Sequence, residues 1–328
     1  MGLLEYAKTA NYGRFYGDLK EISKKNGKPA WLMFADAGLC FIRYRSGLQD
    51  YLNFKFYEKS ARERATYITT GDEYYAYQIL ANIEYSSFFS NKINFHKNFA
   101  DYARRDYCDP REGVEGLTEF VNKHPEFVRK PIYGLGGGGV RKVSLSEIDD
   151  IDAFCAELVE QEEFIEELVV QDPRWEALSP SVNTLRMMTF VANGHARLVF
   201  TVARIGSGAS IMDNFHQGGV GVLVNMDRGV LMGNGFDKKC VEHEFSVTGV
   251  RFDGFKIPFW EEAKAMVLKG AHVNEGVNLV GWDVALTPDG PLVIEANRGP
   301  GWDVVQVPAK RGMKSLLNEM LEEVGESA

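Results

Sequence analysis

Residues 280–297 have the sequence VGWDVALTPDGPLVIEAN, in which two apolar runs flank a Thr-Pro-Asp-Gly segment. The apolar runs predict two antiparallel strands, over residues 280–286 and 292–296. Pro-Asp-Gly favours a type I turn that closes a three-residue loop, with Gly290 in the left-handed region. The segment therefore predicts a β-hairpin near the carboxyl end of the chain.

The register of this hairpin follows from its turn. If Thr287 pairs with Pro291, the same register places Asp283 directly opposite Glu295, and Asn297 lies on the face of Glu295 because it is two residues further along. Facing carboxylates repel each other unless a positive charge lies between them. Carboxylate and amide oxygens without His or Cys suit Mg²⁺. The alternative, from the hairpin alone, is a surface ribbon with two solvated acids.

A glycine-rich loop follows a second predicted strand, at residues 126–131. Lys130 lies near the end of this strand, and five of the six residues from 134 to 139 are glycine. Bare backbone N–H groups in such a loop can bind an anion, with Lys130 as a point charge; the alternative is a flexible hairpin tip. The loop contains GxGxxG, but the strand-like residues 140–143 follow where a dinucleotide fold needs a helix.

The rest of the chain mixes helices and strands. Ser144 and Glu147 form a capping box that predicts a helix to about residue 161, and residues 164–170 predict a buried strand. Asn193-Gly194 is a strong hairpin signal. Around and beyond it the sequence predicts strands over 185–192 and 196–203 and a helix over 256–269. This order of elements predicts an α+β fold.

Residues 1–90 have few turn signals, and the spacing of their apolar residues predicts a mainly helical N-terminal region. The longest apolar run, residues 29–42, is shorter than the roughly 20 residues that cross a bilayer, so it predicts a buried helix and no membrane insertion. An apolar signal-peptide core is missing from the first residues. We therefore expect a cytoplasmic protein.

The composition is that of a globular protein of enzyme size. The chain has 328 residues, 45% of them apolar, with 37 lysines and arginines against 46 acids for a net charge of −9. A net anionic surface makes nucleic acid an unexpected partner. The four cysteines are scattered without a CxxC pair, which favours neither a disulfide framework nor a zinc site.

These motifs occur in the order found in the ATP-grasp superfamily, which the chain resembles from about residue 91 to 320. The matching segments are Asn91-Lys92, Lys130-Pro131, residues 165–169 (IEELV), residues 282–284 (WDV) and residues 294–297 (IEAN). Residues 183–186 (NTLR) further resemble the sugar-transfer-associated branch. The resemblance implies an ATP-grasp domain over residues 91–328, with a glycine-loop subdomain at 91–170 and a metal-binding subdomain at 171–328.

The resemblance also implies how the chain would hold ATP phosphates. Lys92 and Lys130 would contact them. Lys97 is the alternative to Lys92, about one turn away and expected on the same helix face. The backbone of the glycine loop would approach them too, through Gly136, Gly137 and Gly138.

For the nucleoside part of ATP, the resemblance implies a hinge and a ribose ligand. The backbone N–H and C=O groups of Glu167, Leu168 and Val169 would bind the adenine edge. Either Glu166 or Asp172 would accept hydrogen bonds from the ribose hydroxyls.

The resemblance assigns the magnesium ligands to the residues that the hairpin register selects, namely Asp283, Glu295 and Asn297. Arg186 and Arg204 are similar in position to cations that steady the transferred phosphoryl group. A regular two-residue turn would send these two arginines to opposite faces of their hairpin, so we expect a bulge or a strand end that admits both. Gly281 replaces an arginine of D-alanine-ligase-like members, and Arg298 is the candidate to fill that role.

The function implied by the resemblance is that of a ligase. It would join a small-molecule carboxylate to an amine with ATP and Mg²⁺, through an acyl phosphate and with release of ADP and phosphate. The branch is associated with polysaccharide assembly, and peptide-like natural products are a second substrate class to consider. The alternatives are a small-molecule kinase with the same nucleotide site and a non-catalytic ATP-binding module.

Overall fold

The computed structural model of the chain describes residues 7–81, 85–134, 138–208, 219–274, 276–299 and 301–325. Its internal contacts divide the chain into two compact units. One unit comprises residues 1–82 and 301–328, and the other comprises residues 83–300.

The α-helices of the described residues lie in both units. In chain order they are α1 (Tyr12–Asn26), α2 (Ala30–Tyr44), α3 (Leu48–Asn53), α4 (Ala61–Arg64), α5 (Thr70–Leu80), α6 (Ser86–Ser90), α7 (Lys92–Asn98), α8 (Ala100–Ala103), α9 (Val114–Lys123), α10 (Ile151–Glu160), α11 (Pro173–Glu176), α12 (Trp260–Gly270), α13 (Asp303–Ala309) and α14 (Lys314–Glu323). Short 3₁₀ helices cover Phe56–Glu58, Pro110–Glu112 and Leu145–Glu147. Among the helices of these ranges, none is both long and apolar enough to cross a bilayer.

The strands of the described residues form two antiparallel sheets in the unit of residues 83–300. They are β1 (Tyr107–Cys108), β2 (Glu126–Pro131), β3 (Arg141–Ser144), β4 (Glu163–Glu167), β5 (Thr184–Ala192), β6 (His195–Ile205), β7 (Val220–Asn225), β8 (Val230–Asp237), β9 (Glu242–His243), β10 (Leu279–Thr287) and β11 (Gly290–Asn297). The smaller sheet has the order β1-β4-β2-β3 and the larger has the order β11-β10-β5-β6-β7-β8-β9. Helices α9 and α10 pack on the smaller sheet and α12 on the larger, so the α+β prediction is confirmed.

The other unit is helical, as predicted for the N-terminal region, but it also includes the end of the chain. The Gln306 side chain accepts a hydrogen bond from the N–H of Ile68 and donates one to its carbonyl, each at 2.9 Å. The Lys314 ammonium lies 2.9 Å from the Asp72 carboxylate. Residues 301–328 therefore group with the N-terminal helices, and not with the metal-binding part predicted over residues 171–328.

The longest apolar run forms helix α2, but its burial differs from the prediction. Met33, Ala37 and Cys40 are buried along one face, at the spacing of an amphipathic helix. The opposite face leaves Trp31 and Ile42 exposed. The prediction of a buried helix therefore holds for one face only, because apolar composition does not decide how many faces of a helix have partners.

The smaller sheet follows the prediction at β2 and departs from it after β3. The Ser144 side chain accepts a hydrogen bond from the N–H of Ser146, and it caps only a 3₁₀ turn. Helix α10 begins six residues later than predicted, at Ile151, where the Asp150 side chain accepts from the N–H of Ala153. Asp150 is thus the residue that caps this helix.

A group of carboxylates withdrawn from solvent lies in the helical unit. Asp50 Oδ2 accepts hydrogen bonds from the Gly47 N–H at 2.7 Å and from the N–H and hydroxyl of Thr70, each at 2.8 Å. Burial nevertheless raises the pKa of Asp50 to about 6, and the Asp303 carboxylate adds to the rise. Burial and Asp303 also raise the pKa of Glu73 well above its usual value.

We expect the contribution of Asp50 to the stability of the protein to fall as the pH rises from about 4 to about 6. In this window the unfolded chain releases the Asp50 proton and the folded protein keeps it, a difference worth about 3 kcal/mol. Asp50→Asn should flatten this pH dependence, because an amide has no proton to release in this range. The substitution should keep the fold, since the hydrogen bonds that Asp50 accepts all go to one oxygen, and an amide also has one acceptor oxygen. Urea unfolding at several pH values measures the slope, with the exposed Asp18→Asn as control. An unchanged slope in Asp50→Asn would contradict this expectation.

Candidate functional site

The pairing predicted for the β10–β11 hairpin is present, although its turn differs from the prediction. Asp283 pairs with Glu295 across the two strands. Thr287 pairs with Gly290, so the loop has two residues and not three, and Gly290 has the expected positive φ, at 100°. A bulge between Asp283 and Val284 adds one residue to β11 and restores the predicted register.

The third predicted metal ligand lies at the end of the same strand. Asn297 is two residues beyond Glu295 on β11, so the two side chains leave the same face, and it pairs with Gly281. Arg298 follows directly and is partly buried. Adjacent strands thus bring the carboxylates of Asp283 and Glu295 and the amide of Asn297 to one end of the hairpin.

Two arginines from the neighbouring strands reach Asp283. Arg186 lies beside it in the β5–β10 ladder, with Nε and a terminal nitrogen 2.6 and 3.1 Å from the two carboxylate oxygens. Arg204 places a terminal nitrogen 3.1 Å from Oδ1. A bulge after Met188 shifts the register, so that Arg204 pairs with Thr184, on the face that carries Arg186. The hairpin therefore contains the bulge that the sequence requires if both arginines are to meet.

The surroundings of Glu295 disfavour its negative charge. Burial raises the pKa of Glu295, and the carboxylate of Asp283 raises it further. The positive charges of Lys92, Lys130 and Arg186 oppose this rise without cancelling it. A divalent cation between the two carboxylates would stabilise both in their charged form.

Lys92 is the first residue of α7 and faces this region. Its N–H and its Nζ donate to the carbonyls of Ile132 and Gly134, each at 3.1 Å, which fixes the lysine beside the end of β2. Lys97, the alternative phosphate ligand, is exposed on another side of the helix, since five residues correspond to a rotation of about 140°. The expectation that both lysines share one helix face is therefore wrong.

Lys130 lies near the end of β2 as predicted, but it is buried in an ion cluster. Its Nζ is 2.6 Å from Glu166 Oε1, which also lies 2.7 Å from a terminal nitrogen of Arg105. His96 Nε2 is 2.9 Å from the other oxygen of Glu166. Burial alone would raise the pKa of Glu166, but Arg105 and Lys130 hold it well below its usual value. Burial lowers the pKa of Lys130, and Glu166 opposes that change.

This cluster argues against the ribose role predicted for Glu166, because buried donors already engage both of its oxygens. Its carboxylate instead positions Lys130 and Arg105. Arg105 also donates to the carbonyls of Val293 and Ile294, at 3.4 and 3.3 Å. The cluster thus connects the smaller sheet to β11, the strand that carries two of the predicted metal ligands.

Arg105 and His96 did not figure among the predicted site residues. Neither belongs to a recognisable motif, and His96 is 70 residues from the carboxylate that it meets. A buried cation requires a buried counter-charge, but Arg105 stands in the charged stretch DYARRD, where the sequence offers no signal that separates a buried arginine from an exposed one.

Glu167, the first residue of the predicted hinge, already uses its backbone N–H within the fold. Glu167 donates its N–H to the carbonyl of Asp106 at 2.9 Å, and its carboxylate accepts the Asp106 N–H at 3.1 Å. Leu168 and Val169 follow outside any helix or strand. Outside the helices and strands of the described ranges, the backbone groups of these two residues form no hydrogen bond with other backbone groups. The adenine role of residues 167–169 stays a prediction.

Asp172, the other predicted ribose ligand, is the N-cap of α11. Its Oδ1 accepts hydrogen bonds from the Arg174 N–H and Nε at 2.9 and 2.8 Å, and its Oδ2 accepts one from a terminal nitrogen at 2.8 Å. The hydrogen bonds from the Arg174 side chain lower the pKa of Asp172. Its ribose role stays a prediction.

The glycine loop is described in part. Gly136 and Gly137 lie outside the described residues, and Gly138 lies in a turn. Gly139 has a φ of 80°, and a Cβ there would come within 2.9 Å of Pro131 Cγ. Backbone geometry therefore requires glycine at position 139, and the phosphate role of the loop stays a prediction.

Several solved structures are similar to this chain at a low level. The ATP-grasp ligase PsnB bound to a minimal precursor is 14% identical, with a TM-score of 0.44 over 74% of this chain and 62% of that chain. The D-alanine-D-alanine ligase from Coxiella burnetii is 10% identical, with a TM-score of 0.45 over 74% and 59%. D-alanyl-alanine synthetase A from Vibrio cholerae O1 biovar eltor is 15% identical, with a TM-score of 0.41 over 74% and 63%. The chain spans about 60% of the length of these structures.

Among curated proteins, none matches the chain. A family model does match, over residues 62–322, which is about four fifths of the chain and includes both sheets. Its description is sugar-transfer associated ATP-grasp. The chain therefore belongs to the sugar-transfer associated ATP-grasp family and has an ATP-grasp fold.

Proposed function

We propose that the protein is an ATP-dependent ligase that joins a carboxylate to an amine and releases ADP and phosphate. The observation that carries this proposal is the pairing of Asp283 with Glu295 beside Asn297. Arg186 and Arg204 border this oxygen-rich face on one side, and the lysines at positions 92 and 130 act on Glu295 electrostatically. Such a set can hold a metal and a polyphosphate together.

Magnesium fits the residues present. Two carboxylates and an amide from adjacent strands supply the hard oxygen ligands that Mg²⁺ prefers. Burial and the Asp283 carboxylate raise the pKa of Glu295, and the three nearby cations do not cancel that rise. Asp283, Glu295 and Asn297 are the proposed ligands, and Asp283 would give up contacts with Arg186 and Arg204 to bind the ion. Bound there, Mg²⁺ would neutralise charge on the phosphate oxygens.

The proposed nucleotide site uses groups of the smaller sheet, of the loops that follow β2 and β4, and of helix α7. Lys92 and Lys130 bind phosphates together with the backbone of residues 136–138, while the backbone of residues 167–169 binds the adenine edge. Lys130 is held in place by its ion pair with Glu166. Positioning by buried ion pairs lowers the cost of ordering a long side chain when the ligand binds.

The proposed reaction has two steps and needs no protein nucleophile. A carboxylate oxygen of the substrate attacks the γ-phosphorus of ATP, the bond to the β-γ bridging oxygen breaks, and ADP leaves. The amine nitrogen then attacks the acyl carbon, phosphate leaves, and the amine proton passes to solvent. Arg186 and Arg204 steady the transferred group by exchanging contacts with Asp283, and Arg298 is the candidate cation for the acyl intermediate.

The substrates we propose are small carboxylates and amines of polysaccharide or peptide-like natural product assembly. The test is ADP release with MgATP against panels of amino acids, peptides and sugar acids, with hydroxylamine replacing the amine. A ligase should form ADP and a hydroxamate in equal amounts, because hydroxylamine traps an acyl phosphate. A kinase would give ADP and a stable phosphorylated product, and AMP with pyrophosphate would contradict the mechanism.

Two lysines of α7 supply a matched pair for this assay. Lys92→Ala should lower turnover by about a hundredfold or more, since it removes a cation next to the developing charge. Lys97→Ala should leave turnover unchanged, because Lys97 is exposed and its nearest acid is Glu112 at 3.5 Å. Equal effects of the two substitutions would count against the proposed phosphate site.

A further inference from the structure

Helix α2 has an exposed apolar stripe along its outer face. Trp31, Leu39 and Ile42 are 63, 65 and 79% exposed. Their positions fall within an arc of about 80° on the helix, together with Ala35. The buried face of the helix lies on the other side. Folded proteins rarely expose several large apolar side chains next to one another without a partner.

The charges around this stripe are predominantly basic. Residues 7–45 contain eight lysines and arginines and three acidic residues, in a chain whose net charge is −9. Arg43 and Arg45 lie at the end of the helix with exposed side chains, and Lys28 precedes the helix, with its ammonium donating to the carbonyl of Tyr57. The acid on the helix, Asp36, is paired with Arg64 at 2.8 Å. The stripe is therefore bordered by positive charge on an otherwise acidic protein.

We propose that α2 docks this protein on an anionic membrane surface. The helix is too short to span a bilayer, but an apolar stripe containing Trp, with basic residues at both ends, is the pattern of a helix that lies in the lipid interface. The apolar side chains enter the boundary between headgroups and acyl chains, and the basic side chains meet anionic headgroups. The positive charge favours an anionic lipid surface. It disfavours a second copy docked through the same stripe, because that arrangement would bring two basic rims together.

The fluorescence of Trp31 provides a direct reading of this docking. Trp31 is exposed, whereas the other tryptophans, at positions 175, 260, 282 and 302, are buried. Phosphatidylcholine vesicles that contain phosphatidylglycerol should shift the emission to shorter wavelength and carry the protein into the pellet. Vesicles of phosphatidylcholine alone should do so weakly, and added salt should reverse the binding. Trp31→Phe should bind the same vesicles without the shift.

The matched variants change charge at exposed positions, so the fold should persist. The double substitution Leu39→Glu and Ile42→Glu should lower partitioning into anionic vesicles by about tenfold or more, whereas Val241→Glu, an exposed apolar position in the other unit, should leave it unchanged. Arg43→Glu keeps the stripe intact and should still weaken binding to the anionic vesicles.

Absence of any shift or sedimentation with anionic vesicles would overturn the proposal. The proposal would also be overturned if the wild type did not bind vesicles and light scattering detected a dimer that the double substitution dissociates. Circular dichroism of each variant shows whether the helices remain folded. None of these readings depends on ATP turnover, so this proposal and the ligase proposal can fail separately.

Discussion

Glu295→Gln should lower ATP turnover by about a thousandfold or more and leave the folded protein at least as stable as the wild type. The pKa of Glu295 is raised by burial and by Asp283, so the folded protein disfavours the charge of this side chain. A neutral amide of the same shape removes a like-charge repulsion worth about 0.2–1 kcal/mol. Urea unfolding and ADP release measure the two effects on the same preparation.

Asp283→Asn is the matched control. It removes the other carboxylate charge of the pair, but we expect it to destabilise the protein. Asp283 is held by Arg186 and Arg204 at distances between 2.6 and 3.1 Å. Its neutralisation should cost about 2–3 kcal/mol of unfolding free energy, as well as turnover. A Glu295→Gln variant that lost as much stability as Asp283→Asn, or that kept its turnover, would contradict the role given to this pair.

Glu166→Ala should lower the free energy of unfolding by about 3–5 kcal/mol. The substitution leaves Arg105 and Lys130 buried without the carboxylate that contacts both. Because these cations hold the pKa of Glu166 well below its usual value, its contribution is complete at neutral pH and is lost only as the pH falls into the strongly acidic range. Urea unfolding at pH 7 is the measurement.

Glu112→Ala supplies the comparison for an exposed ion pair in the same unit of the fold. Its partner is Lys97 at 3.5 Å, and both side chains are more than half exposed, so we expect a change below about 1 kcal/mol. If the two alanine substitutions had similar costs, the cluster around Glu166 would not be the structural link that its burial indicates.

The candidate metal face could be predicted from the sequence because side chains alternate strictly along a strand. Asp283 faces Glu295 as predicted, but the predicted pairing of Thr287 with Pro291 is wrong, since Thr287 pairs with Gly290. A loop one residue shorter than expected and a bulge after Asp283 compensate each other. Sequence patterns specify which faces of a strand meet more reliably than they specify turn length, because a buried face constrains the register and a solvent-exposed turn does not.

The contacts that escaped prediction join residues far apart in the chain. Arg105 meets Glu166 and β11, and Gln306 pairs with the backbone of Ile68, which brings the end of the chain to the N-terminal helices. Such pairs leave no periodic signal in the sequence. The exposed face of α2 also escaped prediction, because an apolar residue predicts burial but does not specify which residues bury it.

The most direct test of the nucleotide site is whether ATP stabilises the protein only when Mg²⁺ is present. Thermal unfolding is compared with ATP plus Mg²⁺ and with ATP plus EDTA, in the wild type and in Glu295→Gln. Ligand at a hundred times its dissociation constant adds about 2.7 kcal/mol to the stability of the folded state. If the paired carboxylates hold the metal, MgATP raises the unfolding temperature by several degrees in the wild type alone, and ATP with EDTA has a much smaller effect. An equal rise with and without Mg²⁺, or a full rise in Glu295→Gln, would contradict a metal site between Asp283 and Glu295.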